Sequence, residues 1–333
     1  MKRLFSLLIA TVMVLSLAAC GSKPAATDTA AAGAQQVDTN TVAIGAVVIA
    51  RDDIPEDEIY TLVSTIFENK DAITSQHAKG NELDLAFASS ITSVPYHPGA
   101  AKYFKEKGID VAAVKEGAGV GEKKDLNFGT GGEAGTYYAY GGVLSTYVSG
   151  NTDIKVTALT SGGSKSNIED LTAGNIQLGF TQSDVMAYAY NGERLFEEKV
   201  EGFSVVCSLY MEQVQIVTTN PDIKTVADLK GKNVSIGASG SGTYFNAIDA
   251  LSAYDLTESD IKPVFQSFGD SVESLKDKKI DAAFIVAGAP TTAITDLATA
   301  KPVYLVGFDE EHINKLVASS PYYSSYTIKA GTY

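Results

Sequence analysis

The stretch DLNFGTGGEAGTYYAYGGVLST, residues 125–146, decides the fold of this chain. It begins with an apolar-alternating run at Leu126–Phe128, which is typical of a β-strand, and continues into a glycine-rich turn at 129–135. From Thr136 to Tyr147, apolar and small residues recur at helical spacing. A strand, a glycine turn and a helix in this order direct free backbone N–H groups at an anion.

The same arrangement occurs a second time further along the chain. Asn233–Gly237 is predicted to be a strand, residues 238–243 (ASGSGT) form the turn, and Tyr244–Leu251 is predicted to be the helix. Two such helix N-termini can close on one small acidic molecule from opposite sides. The sequence therefore predicts a protein that binds a small anion.

The N-terminus has the features of an export signal. Lys2 and Arg3 precede an apolar run at 4–17, which is too short to be a stable membrane span, so residues 1–20 are predicted to be a signal peptide. The sequence LAAC at 17–20 resembles the lipobox of bacterial lipoproteins, in which the thiol, here that of Cys20, is acylated. The alternative is an ordinary signal peptide that is cut near Cys20. Residues 21–40 are predicted to be a flexible tether.

Charge and length limit the class of function. The net charge of −14, from 40 acidic and 26 basic residues, argues against a nucleic acid or an anionic lipid surface as partner. It does not argue against a small anion, because a local ring of N–H dipoles can outweigh a diffuse negative surface. The mature part, roughly 290 residues, is long enough for two domains. Besides Cys20 only Cys207 is present, so no disulfide within the mature fold is expected.

Strands and helices alternate along the mature chain, which predicts an α/β fold with parallel sheets. Thr41–Ala50 is predicted to be a buried strand, and Asp53 to cap the helix that follows it. Ser204–Tyr210 and Val214–Thr219 are predicted to be two separate strands. Residues 111–124, which lack any period, are predicted to be a linker.

Several ordered motifs resemble those of the TAXI family, the extracytoplasmic solute receptors of TRAP transporters. These motifs are Phe128–Gly132, Gly135–Tyr138, Gly163-Ser164 with Asn167, Phe180–Asp184, Tyr190–Gly192, Ser239–Thr243 with Asn246-Ala247, and Asp281–Pro290. The resemblance implies an α/β fold of the periplasmic-binding-protein type, a two-domain, type II Venus flytrap with crossing hinge strands. It also implies a ligand such as glutamate or a related small amino or dicarboxylic acid, which is delivered to a membrane permease.

The order of the motifs differs from that of the TAXI family. Residues 41–108 resemble the C-terminal part of the family but stand first here, so we predict a circular permutation in which the old ends are joined through 117–121. Lobe I is then residues 41–205, made of the family's C-terminal part (41–110), the linker (111–124) and the family's N-terminal part (125–205). Lobe II, with hinge strands, is residues 206–333.

The predicted ligand contacts follow the two glycine turns and the neighbouring strand ends. Thr130 and the amides from Gly131 to Thr136 are expected to hold a carboxylate, and the second turn another polar end of the ligand. Tyr137 or Tyr138 is expected to wall the pocket, Gln182 to contact the ligand, and Asp184 either to take an ammonium group or to cap a helix. The remaining expected contacts or pocket-shaping residues are Ser164, Asn167, Ser183, Ser239, Ser241, Gly242, Thr243, Asn246, Gly288 and Pro290.

Two other kinds of site are disfavoured. The first turn lacks the third glycine of a dinucleotide motif, because position 134 is alanine, and the second has Gly242 where a phosphate-binding loop has lysine. The remaining alternative for each turn is tight packing without a ligand.

Arg194 is expected to pair with Glu193 or Glu197. His77, His97 and His312 show no metal-ligand spacing and no nucleophile motif is present, so we predict no catalytic residue, metal or cofactor.

The leading hypothesis is a monomeric receptor, lipid-anchored on the extracytoplasmic face of a membrane. It would bind a small carboxylate such as glutamate between two lobes and pass it to TRAP transporter membrane subunits. The alternatives are a sensory receptor that reports to a membrane kinase, and an exported enzyme that acts on a small acid.

Overall fold

The computed structural model describes residues 35–114 and 125–333. The predicted signal peptide with Cys20, residues 21–34 of the predicted tether and residues 115–124 of the predicted linker lie outside the described residues. Residues 35–40, which were assigned to the tether, are part of the folded structure. Gln35 is buried, its backbone N–H donates to the Tyr333 carbonyl at 2.9 Å, and the first strand begins at Thr39.

Within these ranges, ten strands form one sheet in the order β3-β2-β4-β1-β5-β8-β6-β7, with β10 paired to β1 and β9 paired to β5. The strands are β1 Thr39–Arg51, β2 Asp125–Gly129, β3 Lys155–Leu159, β4 Leu178–Gln182, β5 Phe203–Thr218, β6 Asn233–Ser235, β7 Lys262–Val264, β8 Ala282–Ala287, β9 Tyr304–Leu305 and β10 Ser324–Ile328.

Eleven α-helices cover this sheet in the described ranges. They are α1 Glu56–Glu68, α2 Lys70–Gln76, α3 Leu85–Ala88, α4 Pro98–Glu106, α5 Thr136–Asn151, α6 Ser164–Thr172, α7 Ser183–Asn191, α8 Gly242–Ala253, α9 Phe268–Lys276, α10 Thr292–Ala300 and α11 Glu310–Ser319. Short 3₁₀ turns occur at Ala78–Glu82, Val226–Leu229 and Glu258–Asp260. Of the helices in this part of the chain, none is both long and apolar enough to cross a membrane.

The two longest strands, β1 and β5, run through the middle of the sheet and divide it. We call β2–β4 with α1–α7 the first half, and β6–β10 with α8–α11 the second half. β1 pairs with β4 through residues 46–50 and with β10 through residues 39–43. The side chains of β1 are therefore divided between two cores. Val48 and Ile49 pack in the core of the first half, whereas Val42 and Ile44 pack in the core of the second.

The strand β5 corrects the prediction of two separate strands at 204–210 and 214–219. It is continuous from Phe203 to Thr218, and the polar residues Glu212 and Gln213, which the prediction left between the two strands, are almost fully buried. It pairs with β1 through residues 203–213 and with β8 through residues 213–217. The polar residues therefore lie where the strand passes from one half to the other.

The α/β class and the crossing strands are confirmed, but the sheet is mixed rather than parallel. β2, β3 and β4 pair in parallel, as do β6, β7 and β8. β1 and β5 are antiparallel to each other and to their outer neighbours, because each strand traverses both halves. Alternation of strands and helices predicts the parallel units but carries no signal for two traversing strands.

The start of α1 differs from the prediction that Asp53 caps it. The helix begins at Glu56 after Pro55, without a side-chain cap, and Asp53 instead accepts hydrogen bonds from the Arg51 guanidinium at 2.8 and 2.9 Å. His97 is structural, as expected from its position before Pro98. Its Nδ1 accepts from the Gly99 amide at the start of α4, and burial lowers the pKa of the ring to about 4.

Candidate functional site

A cavity of about 80 Å³ lies between the two halves, beside the ends of β2, β4, β6 and β8. This volume is several times the roughly 10–15 Å³ that a single water requires by the same kind of measure. The lining comes from the first glycine turn, the loop at 161–164, the second glycine turn and the start of α9, with Gln182, Glu212, Val286 and Ala287 between them. Both predicted glycine turns therefore reach one cavity.

Four helices begin at the cavity wall. α5 and α6 come from the first half and begin at Thr136 and Ser164, whereas α8 and α9 come from the second half and begin at Gly242 and Phe268. No side chain caps the N-terminus of α5, α6 or α8. The first amides of α6, at Lys165 and Ser166, already donate to the Gly240 carbonyl, and the Ser267 side chain caps α9. The first amides of α5 and α8, one helix from each half, lack partners within the helix and carry a partial positive charge, so the cavity wall attracts negative charge from both sides.

The halves touch around the cavity through hydrogen bonds. The Thr136 hydroxyl donates to the Gly288 carbonyl at 2.9 Å, and the Ala293 amide donates to the Ala134 carbonyl at 3.1 Å. On another side of the cavity, the amides of Lys165 and Ser166 donate to the carbonyl of Gly240 at 3.0 and 3.2 Å. The structure is therefore that of a closed cleft.

Glycine is required at two places where the halves approach each other. A Cβ added to Gly242 would overlap Gln182 Oε1 and crowd Ser164 Oγ, because the start of α8 packs directly on the first half. Gly163 precedes α6 with φ of +100°, a backbone conformation that side chains other than glycine rarely adopt, and lies against Ser241. The glycines predicted to bind an anion therefore also allow the cleft to close.

Glu212 is the acidic group of the cavity, and the sequence analysis missed it. Its side chain is 2% exposed, and the Tyr137 hydroxyl donates to its Oε2 at 3.1 Å. Burial raises the pKa of Glu212 to about 8, although hydrogen bonds from the Gln182 and Tyr137 side chains favour the ionised form. The signal in the sequence is a lone acid between apolar strand residues, which also occurs at ordinary turns.

Tyr137 serves as wall and as donor. Its ring stacks on Phe180 with centroids 4.5 Å apart and an angle of 5° between the ring planes. Burial, followed by the negative charge of Glu212, raises the pKa of its hydroxyl well above the usual value, so Tyr137 stays protonated and able to donate. Of the two tyrosines that were expected to wall the pocket, Tyr137 lies in the cavity lining.

Two buried acceptors of the cavity lining have no hydrogen-bond partner, namely Gln182 Oε1 and Ser241 Oγ. Unsatisfied buried polar atoms are uncommon in folded proteins, and a bound molecule is one way to satisfy them. Among the described residues, no lysine, arginine or histidine lines the cavity. Negative charge there is attracted by backbone dipoles and hydroxyl groups rather than by a cationic side chain.

Eight of the predicted contact residues line the cavity together. They are Gly131, Thr136, Tyr137, Ser164, Gln182, Ser241, Gly242 and Thr243. The lining also contains residues that belong to no motif recognised in the sequence, such as Ser161 and Ser267 in loops and Phe268 at the start of α9.

The structure places three predicted residues of the first half away from the cavity. Thr130 is fully buried and donates to the Leu159 carbonyl at 2.6 Å, which fixes the end of β2. Asn167 donates to the carbonyls of Thr130 and Phe180, at 2.7 and 2.8 Å, instead of lying at the rim. Ser183 lines a separate groove. Thr130 and Asn167 therefore belong to the packing that supports the cavity wall.

Predicted residues of the second half also lie elsewhere. Ser239 is exposed at the tip of its turn, and Pro290 is exposed after the cis peptide bond that follows Ala289. Gly288 contributes its carbonyl to Thr136, and the neighbouring Val286 and Ala287 line the cavity in its place. Short motifs thus indicate the correct turn but not which of its residues face inwards.

A buried polar chain links α7 and α8 behind the cavity. Asn246 donates to Asp184 at 3.1 Å and to the Tyr323 hydroxyl at 2.8 Å, and Tyr323 donates to Asp249 at 3.0 Å. Arg194 pairs with Asp249 at 2.6 Å, which corrects the expected pairing with Glu193 or Glu197. Asp184 and Asn246 therefore join the halves instead of contacting the cavity. Burial raises the pKa of Asp184 to about 7.

The described residues do not form a set of side chains that could bind a metal ion. No group of three or more histidine, cysteine, aspartate or glutamate side chains is placed there to hold an ion. Cys207 is buried in β5, and burial raises the pKa of its thiol.

Comparison with known proteins gives one family and a set of distant folds. The model of the NMT1-like family matches residues 23–108 and 128–333. Among solved structures, the chain is similar to the alkanesulfonate-binding protein SsuA from Xanthomonas axonopodis pv. citri bound to MOPS, at 19% identity and a TM-score of 0.39. That match covers 57% of this chain and 63% of the other, so the chain spans less than two thirds of the SsuA length.

Two further similar structures bind amino acids according to their descriptions. One is an ancestral arginine-binding protein bound to arginine, at 18% identity and a TM-score of 0.37, with 56% of this chain and 79% of the other covered. The other is the amino acid ABC transporter substrate-binding protein AbpA from Streptococcus pneumoniae bound to L-arginine. It matches at 13% identity and a TM-score of 0.40, with 62% and 82% covered.

Proposed function

This chain belongs to the NMT1-like family, and we propose that it is an extracytoplasmic solute-binding receptor that captures a small carboxylate between its two halves. The observation that carries the proposal is the convergence of the free N-termini of α5 and α8, one from each half, on one closed cavity. Each such helix end contributes roughly 0.3–1 kcal/mol towards binding an anion, and up to about 2 kcal/mol in a partly buried site.

Capture follows from contact with both halves. A ligand that touches α5 and α6 on one side and α8 and α9 on the other stabilises the closed form, because those contacts are complete only when the cleft is shut. The hinge is provided by β1 and β5, which are the long strands shared by both halves. No nucleophile with an adjacent base is found along the described cavity wall, so the proposal includes no catalytic step.

The proposed ligand is glutamate or a related amino or dicarboxylic acid, and the proposed partners are the membrane subunits of a TRAP transporter. This finer assignment is supported by the TAXI-like motifs at both glycine turns, most of which contribute to the cavity lining. The lobe boundaries at 41–205 and 206–333 belong to the same proposal. So does the circular permutation, which the backbone pairing of Gln35 with Tyr333 supports by placing these two chain segments side by side.

Calorimetric titration with a panel of amino and dicarboxylic acids tests the proposed function. We expect one molecule to bind per chain and to be recovered chemically unchanged from the same sample. A mass spectrum of small molecules released from the purified protein should contain a compound of this class. Formation of a product from the ligand, or absence of binding by every member of the panel, would contradict the receptor.

Anchoring through Cys20 is tested separately in cells that express the full chain. We expect Cys20→Ser to move the protein from the membrane fraction to the soluble extracytoplasmic fraction, because a serine cannot form the thioether and no acyl chains then hold the protein. Cys207→Ser is the matched control and should stay in the membrane fraction. Unchanged fractionation of Cys20→Ser would rule out a lipid anchor at this residue.

A further inference from the structure

We propose that Glu212 reads the charge of the ligand, so that it pairs as a carboxylate with a cationic group and holds a proton when the ligand has no such group. The inference rests on the proposed function, because it assigns a role to one residue of the same cavity. It separates amino acids from carboxylates without an amine, which the convergence of helix N-termini alone does not distinguish.

The first argument is the position of Glu212. It lies on β5 where this strand passes between the halves, in the lining of the cavity and almost fully buried. Its two neutral partners are the Tyr137 hydroxyl and the Gln182 side chain. An ionised carboxylate has about four acceptor positions, so these two donors leave room for a donor from a ligand.

The second argument is the absence of a full counter-charge among the described neighbours. The cation that acts on Glu212 is Lys79, in the 3₁₀ turn at 78–82. Its Nζ is already paired with Glu82 at 2.5 Å and stands 5.3 Å from the centre of the Tyr210 ring. Lys79 therefore already has the Glu82 carboxylate and the Tyr210 ring as partners for its charge. Lys79 also does not line the cavity.

The other elements around Glu212 add negative or neutral groups. Asp184 on α7 disfavours a negative charge on Glu212, and Tyr137 on α5 and Tyr210 on β5 are neutral phenols with raised pKa values. On β1 the paired residue is Ile44. Burial in this setting raises the pKa of Glu212 to about 8, so Glu212 favours its protonated form at neutral pH until a cationic group pairs with it.

The cavity therefore has two unlike electrostatic features, namely helix N-termini that favour an anion and one acid that changes charge near neutrality. A ligand with a carboxylate and an ammonium group satisfies both, and the Glu212 proton passes to the solvent when the ion pair forms. A ligand with carboxylates only would place like charges together in a buried site, which is costly unless Glu212 keeps its proton.

The test uses L-glutamate and glutarate, which differ by the amino group, on the purified protein at pH 7 and pH 9. With a Glu212 pKa of about 8, the ionised fraction rises about tenfold over this range and the protonated fraction falls about tenfold. We expect the affinity for L-glutamate to rise and that for glutarate to fall by about tenfold each. At pH 7, calorimetry in two buffers of different ionisation enthalpy should show release of about one proton with L-glutamate and none with glutarate.

Glu212→Gln should remove the opposite pH dependence of L-glutamate and glutarate binding. This variant keeps the shape of the side chain but cannot ionise, so neither ligand should show the tenfold dependence on pH, and L-glutamate should bind at least about tenfold more weakly than to the wild type at pH 9. Glu311→Gln, an exposed change on α11, is the matched control and should retain both trends. Thermal melting checks that both variants fold.

The outcomes separate the inference from the function on which it rests. If both ligands show the same pH trend in the wild type, or if Glu212→Gln keeps opposite trends, the role of Glu212 is wrong while the receptor stands. If neither ligand binds and the wider panel of acids also fails, the proposed function is wrong as well. The wild-type trends decide the matter even if Glu212→Gln does not fold.

Discussion

Thr243 is the hydroxyl residue in the first turn of α8, and it lines the cavity while being 3% exposed. We expect Thr243→Ala to weaken binding of the carboxylate ligand at least about tenfold, because a hydrogen bond to a charged group is worth about 1.5–3 kcal/mol and a tenfold change in affinity corresponds to about 1.4 kcal/mol. Calorimetry with the ligand identified from the panel gives this value. Thr172→Ala, at an exposed end of α6, should bind as the wild type does. An unchanged affinity of Thr243→Ala would exclude its hydroxyl from the contact.

Asp184 makes the stability of the protein depend on pH. Its pKa is about 7 in the folded protein and about 3.9 in an unfolded chain, so the folded state binds this proton more tightly. The stabilising contribution is fully present below about pH 4 and is lost as the pH rises through 7. Glu212, with a raised pKa of about 8, acts in the same direction.

We therefore expect the free energy of unfolding to fall between pH 4 and pH 8, with roughly 2–4 kcal/mol of the loss due to Asp184. In Asp184→Asn the loss should be smaller by that amount, although the part due to Glu212 remains. Urea denaturation at both pH values measures the difference, and the exposed Asp222→Asn is the matched control. An equal loss in Asp184→Asn and wild type would show that the carboxyl is not the cause.

At the scale of residues, local patterns predict the turns better than the individual contacts. Local patterns predict Tyr137, Gln182 and Thr243 as site residues. Each of them stands within a few positions of its own strand end and helix start, so a short stretch of sequence is enough to recognise it. Glu212 and Phe268 do not, because their meeting in one cavity depends on the path of β5 and on α9, which are distant in sequence. When a single acid such as Glu212 interrupts an apolar run, the neighbouring sequence does not show whether the acid faces a cavity or lies in a turn.

The start of α8 is the element on which closure depends. A methyl group in Gly242→Ala would overlap Gln182 Oε1, so either the halves separate or the Gln182 side chain moves into the cavity. We expect binding at least about a hundredfold weaker by calorimetry, since both outcomes remove contacts that need the closed form.

The control is Gly150→Ala in the last turn of α5, where an added Cβ meets no atom within 4 Å. It should bind normally and gain about 0.5–1 kcal/mol in stability, because alanine is the better helix former. Normal binding by Gly242→Ala as well would show that the start of α8 moves freely in the closed protein.

Elements with a strong local period were predicted, and those that depend on distant packing were not. The glycine turns signal α5 and α8, and the β-branched run signals β1. α11 is the exception, because it is amphipathic and has an Asp309 cap that accepts from the His312 amide, yet the predicted elements do not include it. β5 was divided at Glu212 because polar residues within an apolar run normally mark a turn, whereas here the passage between halves buries them.

For the whole molecule, a ligand held by both halves should stabilise the entire fold. At a free ligand concentration one hundred times Kd, the free energy of unfolding should rise by about 2.7 kcal/mol. Because β1 and β5 belong to both cores, we expect one calorimetric transition that shifts as a unit. Two transitions, of which the ligand moves only one, would contradict both the shared core and the two-sided contact.

The shared strands also limit how such a molecule can be divided or recombined. A fragment that ends between the halves would leave either β1 or β5 with one long edge bare, and exposed edges of this kind promote aggregation. A chimaera that imports the second half of a relative to change ligand preference must therefore carry both strands with it. The smallest unit that can be exchanged is then β1 and β5 together with the half that packs on them. For such an exchange, keeping these two strands together matters more than the order of the halves in the sequence.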